Sequence, residues 1–345
     1  MRFIQSRLKP EIAIAIALAS GCTTGDVVKA HTGGQKGGDG NLSFYEPNEY
    51  PVDDGFSAIG FETPIAVGAR ADVAVIHAIL TLLEGEVDDE SVASIEVSAF
   101  NLQIRAHSEG SVRLDVTTAD DIEDYIDLET VEPDGATIWV LQSIFDPSWM
   151  SAIRSGGYAM RPGAKLTVAA QPTHNGRGLL GFDFLDWDLK PSLIEEQEHW
   201  EYVNSLYIEA KGNSGMATFS TQIGGSLDIQ TLASNEPPTL KMFSVVENAT
   251  QPPEIFELVG NDPSIFVMAG FTGDGRYVMP ASQDELDFSA DVINGDLELL
   301  GVDRGGGDFH IRACRGSGTV RFSYMGALLD VSVEISGDLA DPDCA

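Results

Sequence analysis

The chain is poor in cysteine, in basic residues and in long apolar runs. Three cysteines in 345 residues exclude a disulfide-dense scaffold, and their positions give no CxxC pair for a zinc or redox site. Against 54 Asp and Glu stand 20 Lys and Arg, a formal charge of −34. Such a field repels nucleic acid and anionic headgroups and favours cations or basic partners. The longest apolar run, Ile12 to Ala19, falls short of the about 20 residues a membrane-spanning helix requires. No GxSxG elbow, HExxH helix or P-loop is present, which weakens the case for an enzyme. No catalytic residue, metal ligand or cofactor is nominated.

What is present begins with Arg2, Arg7 and Lys9 ahead of that apolar run, followed by Ser20 and Gly21. The pattern predicts a signal peptide over residues 1–21. Leu18-Ala19-Ser20-Gly21-Cys22 resembles the lipobox of bacterial lipoproteins, with Leu18 one place further from the cysteine than usual. The resemblance implies that Cys22 is acylated and becomes the mature N-terminus, anchored by several acyl chains. It also implies a cell-envelope location, with the outer membrane expected and the folded part facing periplasm or exterior. Removing Arg2, Arg7, Lys9 and Glu11 with the leader takes the formal charge from −34 to −36. With Cys22 assigned to lipid, Cys314 and Cys344 are expected to pair as a disulfide in an oxidising compartment, the alternative being two unpaired thiols. Residues 22–48 are polar and glycine-rich, with GGQKGGDG from Gly33, and are expected to form a flexible tether.

An internal repeat organises the remainder. SEGSVRLDV, NSGMATFST and GSGTVRFSY carry Gly110, Gly215 and Gly318, which are 105 and 103 residues apart. VGARADVAV, PGAKLTVAA and VGNDPSIFV carry Gly68, Gly163 and Gly260, which are 95 and 97 apart. Two markers in one order at a similar period imply three copies of a unit. Period-2 alternation, seen best in Val320, Phe322, Tyr324 and in Leu329, Val331, Val333, Ile335, predicts a closing hairpin in each copy. Units of about 100 residues built from short strands predict an all-β chain of two-sheet sandwiches.

The sequence resembles bacterial immunoglobulin-like domains of the group 2 kind. Val67-Gly68, DDESVASIEV from Asp88 and Gly110-Ser111-Val112 carry the closest match, and Pro162-Gly163, Trp187 and Gly215 carry a second. Sandwiches are thus expected over residues 49–133, 134–236 and 237–345. Ser192 followed by Glu195 reads as a capping box, so a helical insertion is expected over residues 191–206.

Candidate chemistry is sparse. Asp88-Asp89-Glu90 and Asp120-Asp121 with Glu123-Asp124 offer oxygen ligands for Ca²⁺ without EF-hand spacing, and hydrated turn carboxylates are the default. His31, His77, His107, His174, His199 and His310 are scattered among the copies. Trp139, Trp149, Trp187 and Trp200 are candidates for sugar stacking or for core packing. The expected function is a lipid-anchored, non-catalytic binding, adhesion or spacing module. Its expected partners are the membrane, through the lipid, and a basic or cation-bridged envelope or extracellular protein. The competing expectation is a carbohydrate-binding protein or hydrolase with a site assembled from distant residues.

Overall fold

The computed structural model describes residues 35–52, 55–59, 61–76, 83–97, 102–119, 121–141, 156–189, 191–200, 204–234, 236–244, 255–259, 264–279, 289–305 and 308–336. These residues are all-β, with no helix among them. The chain divides into two compact units, one comprising residues 1–52, 56–133 and 173–184, the other residues 53–55, 134–172 and 185–345.

The first unit contains β1 (Gln35–Lys36), β2 (Ser43–Val52), β3 (Gly55–Ile59), β4 (Ile65–Ala66), β5 (Arg70–Ile76), β6 (Leu83–Val87), β7 (Ala93–Val97), β8 (Leu102–Ala106), β9 (Gly110–Thr118) and β10 (Glu123–Val131). One sheet runs β1-β2-β5-β8-β7, with β3 on β2; the other runs β4-β10-β9-β6. Alternation decides which side chains go inward. On β9, Val112, Leu114 and Val116 are buried while Ser111, Arg113 and Asp115 are exposed. These valines and leucine share a core with Ile126 and Leu128 of β10 and with Phe44, Val73, Leu102 and Ile104 of the opposite sheet. Two sheets enclosing one core make a sandwich, and the order β2-β5-β8-β7 over β6-β9-β10 is that of an immunoglobulin domain.

The second unit contains β11 (Gly135–Leu141), β12 (Tyr158–Met160), β13 (Lys165–His174) up to residue 172, β15 (Trp187–Asp188), β16 (Ile194–Trp200), β17 (Ser205–Ala210), β18 (Gly215–Thr221) and β19 (Gly224–Thr231), while the end of β13 and β14 (Arg177–Gly178) belong to the first unit. It continues with β20 (Thr239–Ser244), β21 (Ile255–Val259), β22 (Ser264–Phe271), β23 (Tyr277–Met279), β24 (Ser289–Gly295), β25 (Glu298–Gly305), β26 (Asp308–Arg315), β27 (Ser317–Tyr324) and β28 (Ala327–Ser336). The order β11-β13-β17-β16 with β15-β18-β19-β12 repeats that of the first unit, and so does β20-β22-β26-β25 with β21-β28-β27-β24. The same immunoglobulin-like order therefore occurs three times. Its second and third copies are not separate sheets, because β12 pairs in parallel with both β19 and β23 and so joins them into one nine-stranded sheet.

The repeated glycine has a steric cause. A Cβ at Gly110 would lie 3.1 Å from Val92, one at Gly215 3.1 Å from Leu193, and one at Gly318 2.4 Å from Asn294 O and 3.1 Å from Leu297. Val92, Leu193 and Leu297 each immediately precede the strand that ends the first-named sheet of their copy, β7, β16 and β25. The chain crosses the glycine at the same place every time. Gly68 and Gly163 are conformational instead, with φ of 89° and 77° in the turn before β5 and β13.

Two expectations fail. Residues 194–200 are not a helix but strand β16, antiparallel to β17 with a bulge between Glu196 and Glu198. Ser192-Leu193-Ile194 is the second copy of Ser91-Val92-Ala93, the entry to a strand. Leu193 O accepts from Lys211 N at 2.9 Å, Ser192 O accepts from Asn213 Nδ2 at 2.8 Å, and this tertiary pairing overrides the helix preference of Glu and Gln. The flexible tether expected to reach residue 48 is also too long. Residues 35–48 lie in β1, in β2 and in the loop between them, which folds around Asp124.

Candidate functional site

The outward face of β6, β9 and β10 departs strongly from charge balance. Pairing places Glu84 opposite Thr117 and Glu86 opposite Asp115. On the other side of β9, Glu123 faces Thr117, Tyr125 faces Asp115, Asp127 faces Arg113 and Glu129 faces Ser111. Paired residues point to the same side of a sheet, with opposed Cβ atoms about 5 Å apart. Six carboxylates, Glu84, Glu86, Asp115, Glu123, Asp127 and Glu129, thus surround one guanidinium. Only register neighbours, such as Glu86 with Asp115 and Asp127 with Glu129, fall within the Debye length of about 8 Å at physiological salt, so the potentials of adjacent carboxylates add.

Arg113 is held at the centre of this face. Its Nε is 3.0 Å from Asp127 Oδ1, and its guanidinium carbon is 3.9 Å from the Tyr125 ring centroid. The hydrogen bond to Asp127 and the neighbouring carboxylates raise its pKa above the usual arginine value. On the opposite sheet of the same sandwich, among the described side chains, Arg70 and Arg105 stand with Asp72 and Glu96, Arg70 pairs with Asp183 at 3.2 Å, and Gln103 donates to Asp72 at 2.9 Å. The corresponding face of the second copy presents Asp188, Thr218, Ser220, Ser226, Asp228 and Gln230. That of the third carries Asp291, Asp330 and Glu334 with Arg321, whose Nε and Nη2 grip the two Asp330 oxygens at 2.7 Å each.

Asp124 belongs to the same strand but points inward. Its Oδ1 accepts from Asp39 N and Tyr125 N at 2.8 Å each, and its Oδ2 from Asn41 N and Leu42 N at 2.7 Å each. Burial pushes its pKa up, but the four backbone donors together outweigh that and hold it below the ordinary Asp value. The wrap demands glycine. A Cβ on Gly37 would come 2.3 Å from Asp124 Cγ, and one on Gly38 1.9 Å from Tyr125 Cζ. The described part of the glycine-rich stretch, residues 37–42, is thus a close-fitting collar.

The remaining candidates are dispersed. Cys22 and Cys344 lie outside the described residues, and Cys314 lies in β26. Asp88 accepts from Arg113 N at 2.8 Å, and Asp89 accepts from Ser91 N and Oγ at 2.9 and 2.6 Å. Both are engaged in turn geometry, while Asp120 lies outside the described residues. Among the described residues no group of three or more His, Cys, Asp or Glu side chains is arranged to hold a metal. His107 Nε2 is 2.7 Å from Ser94 Oγ, and His174 Nδ1 is 2.8 Å from Glu132 O. His199 and His310 lie in β16 and β26, and His31 and His77 lie outside the described residues. Trp139 and Trp187 belong to different sheets, Trp200 lies in β16, and Trp149 is outside the described residues.

One motif escapes a reading of the sequence by catalytic patterns. Gly176-Arg177-Gly178-Leu179-Leu180-Gly181 has GxGxxG spacing, yet it forms the β13–β14 hairpin and opens no helix, so it offers no dinucleotide cradle. The acidic face could have been found from the sequence by pairing parity, once the β9–β10 register was assigned.

No family model matches the chain, and no curated protein matches it. Among solved structures it is similar to domains 5-6 of the S-layer protein SbsC, with 11% identity, a TM-score of 0.25, and coverage of 49% of this chain and 92% of that one. It is also similar to invasin, described as a bacterial integrin-binding protein, with 9% identity, a TM-score of 0.22, and coverage of 85% and 60%. A third is SGBP-B of Bacteroides ovatus in complex with a mixed-linkage heptasaccharide, with 11% identity, a TM-score of 0.25, and coverage of 79% and 65%. Likenesses of this strength carry no argument about what the chain does.

Proposed function

We propose that this chain is a cell-envelope binding or spacing module that acts without turnover, tethered by lipid on Cys22, and that its first immunoglobulin-like copy docks a basic protein surface. The observation that carries the reading is the face of β6, β9 and β10, where Glu84, Glu86, Asp115, Glu123, Asp127 and Glu129 stand around Arg113. A face of one sign steers a cationic partner into encounter and raises its association rate, an effect that fades as salt screens it. Divalent cations bridging the carboxylates to a less basic partner would serve the same surface. The lipobox-like residues before Cys22 support the anchor, and a Cys314–Cys344 bridge would suit the same oxidising compartment.

The test is capture from envelope extracts by the full chain at low and at high salt, set beside a variant carrying Glu84→Gln, Glu86→Gln and Glu129→Gln. The reading expects a captured protein with a basic surface, released by salt and lost in the variant. Salt-insensitive capture retained by the variant overturns it. For the anchor, Cys22→Ser should move the protein out of the membrane fraction, and full retention there contradicts it.

A further inference from the structure

The second and third copies share an Asx-Gly-Arg hairpin whose motif is absent from the sequence of the first. Asn175-Gly176-Arg177 and Asp274-Gly275-Arg276 follow β13 and β22 and are 99 residues apart. In both, the glycine has positive φ, 73° at Gly176 and 89° at Gly275. Between β5 and β6 the sequence contains no Asx-Gly-Arg.

Each hairpin delivers the residues after its arginine to a short parallel edge strand. Within the first unit, Leu180 bridges Ile65 of β4 in parallel, with Ala66 N donating to Leu180 O at 2.9 Å and Leu180 N to Pro64 O at 2.8 Å. Within the second, β23 lies parallel to β12, with Tyr277 N donating to Gly157 O at 2.9 Å and Met279 opposite Met160. The registers agree. Ile65 pairs with Thr130, which faces Gly110, and Met160 pairs with Thr231, which faces Gly215. Leu180 and Met279 are each the third residue past the arginine. Close approach recurs as well: a Cβ on Gly181 would lie 2.4 Å from Ala69 Cβ, and one on Gly156 2.5 Å from Gly275 O.

The third copy has the matching acceptor. β21 is parallel to β28, with Phe256 opposite Val333, which faces Gly318. Phe256 therefore stands where Ile65 and Met160 stand. Among the described residues β28 is the one strand paired with β21, and Ile255 is 50% exposed beside it. We infer that the outer edge of β21 is a strand-acceptor site for the Asx-Gly-Arg hairpin of a further immunoglobulin-like repeat. The incoming segment lies parallel to β21, with the third residue past its arginine beside Phe256. Main-chain hydrogen bonds supply the affinity, as in other strand additions, and the occupant is the one this chain itself uses at the two equivalent edges.

The experiment uses the full chain and a synthetic peptide copying residues 271–280, read by hydrogen exchange with mass spectrometry. At ten times its dissociation constant the peptide should slow exchange at residues 255–259 about tenfold by mass action. A peptide carrying Met279→Pro loses the amide two residues past Tyr277, on the same side of the strand, and should give no slowing. Protection that falls on β4 or β12, equal protection by both peptides, or no protection at saturating peptide each overturns the inference. Protection of 255–259 that grows with protein concentration without peptide also overturns it, because the occupant is then a second copy of this chain.

Discussion

Asp124 and Asp127 lie three residues apart on β10 and serve opposite ends. Asp124 points inward and gathers four backbone amides, three of them from the entering chain. Asp127 points outward and adds to a field of one sign, paired with Arg113. Strand parity alone separates them. The acidity of this chain is therefore not one property. Some carboxylates close the fold, most decorate it, and the two kinds must respond differently to substitution, to acid and to salt.

The largest loss of stability is expected from Asp124→Ala. It strands the part-buried amides of residues 39 and 41 and the buried amide of residue 42 and should destabilise the first unit by on the order of 3 kcal/mol, read as a lowered unfolding midpoint in urea with residues 35–42 newly exchanging. Asp124→Asn keeps the shape but loses the charge, so its loss should be smaller. A midpoint unchanged in both variants contradicts the collar.

Acid should give the same separation. The folded pKa of Asp124 is depressed, so its contribution is complete above the unfolded value of about 3.9 and disappears as pH falls through the lower folded value. Wild-type stability of the first unit should therefore drop in that window, and Asp124→Asn should flatten the drop. An unchanged acid slope in the variant would remove Asp124 as its cause.

The crossing at the repeated glycine sets the next largest effect. Gly318→Ala places a methyl 2.4 Å from the backbone Asn294 O and should cost more than Gly110→Ala, where a Val92 methyl is met at 3.1 Å, with overpacking penalties of about 1 to 3 kcal/mol. Equal midpoints would contradict the steric account. Smaller again is the hydroxyl at the same register. Thr130 Oγ1 donates to Ser108 O and Thr231 Oγ1 to Asn213 O, at 2.6 Å in the latter, whereas the third copy has Val333 there. Thr231→Val should lose about 1 kcal/mol, measured by the same urea titration.

These contrasts also mark what was legible in the sequence. The closing hairpins were legible because β9, β27 and β28 alternate cleanly about a core. β16 was not, because Ile194-Glu195-Glu196-Gln197 carries local helix preference and only its pairing with β17 reveals a strand. The collar was hidden by its glycines, which signal flexibility in composition but here answer the closeness of Asp124 and Tyr125. The residues of the acidic face were visible singly. Their convergence needed the register of β6 and β10 on β9. The Asx-Gly-Arg hairpins were readable as a third repeated marker, but the strands they meet are two and three residues long, too short to leave a periodic signal.

The smallest expected change in stability belongs to the outward carboxylates. Glu129→Gln should move the unfolding midpoint by no more than about 0.5 kcal/mol while altering salt-dependent binding. A larger destabilisation would place Glu129 among the structural carboxylates.

The most direct measurement of the central claim is association of the full chain with immobilised poly-L-lysine across a salt series, using two variants of equal net charge. One carries Glu84→Gln, Glu86→Gln, Asp127→Asn and Glu129→Gln on the acidic face; the other carries Asp188→Asn, Glu195→Gln, Glu196→Gln and Asp228→Asn, all exposed elsewhere. The account predicts that the first variant loses most of the low-salt association rate and most of its salt dependence, while the second stays close to wild type. Equal losses in the two variants would show that bulk charge, and not the face of β6, β9 and β10, attracts the cationic partner.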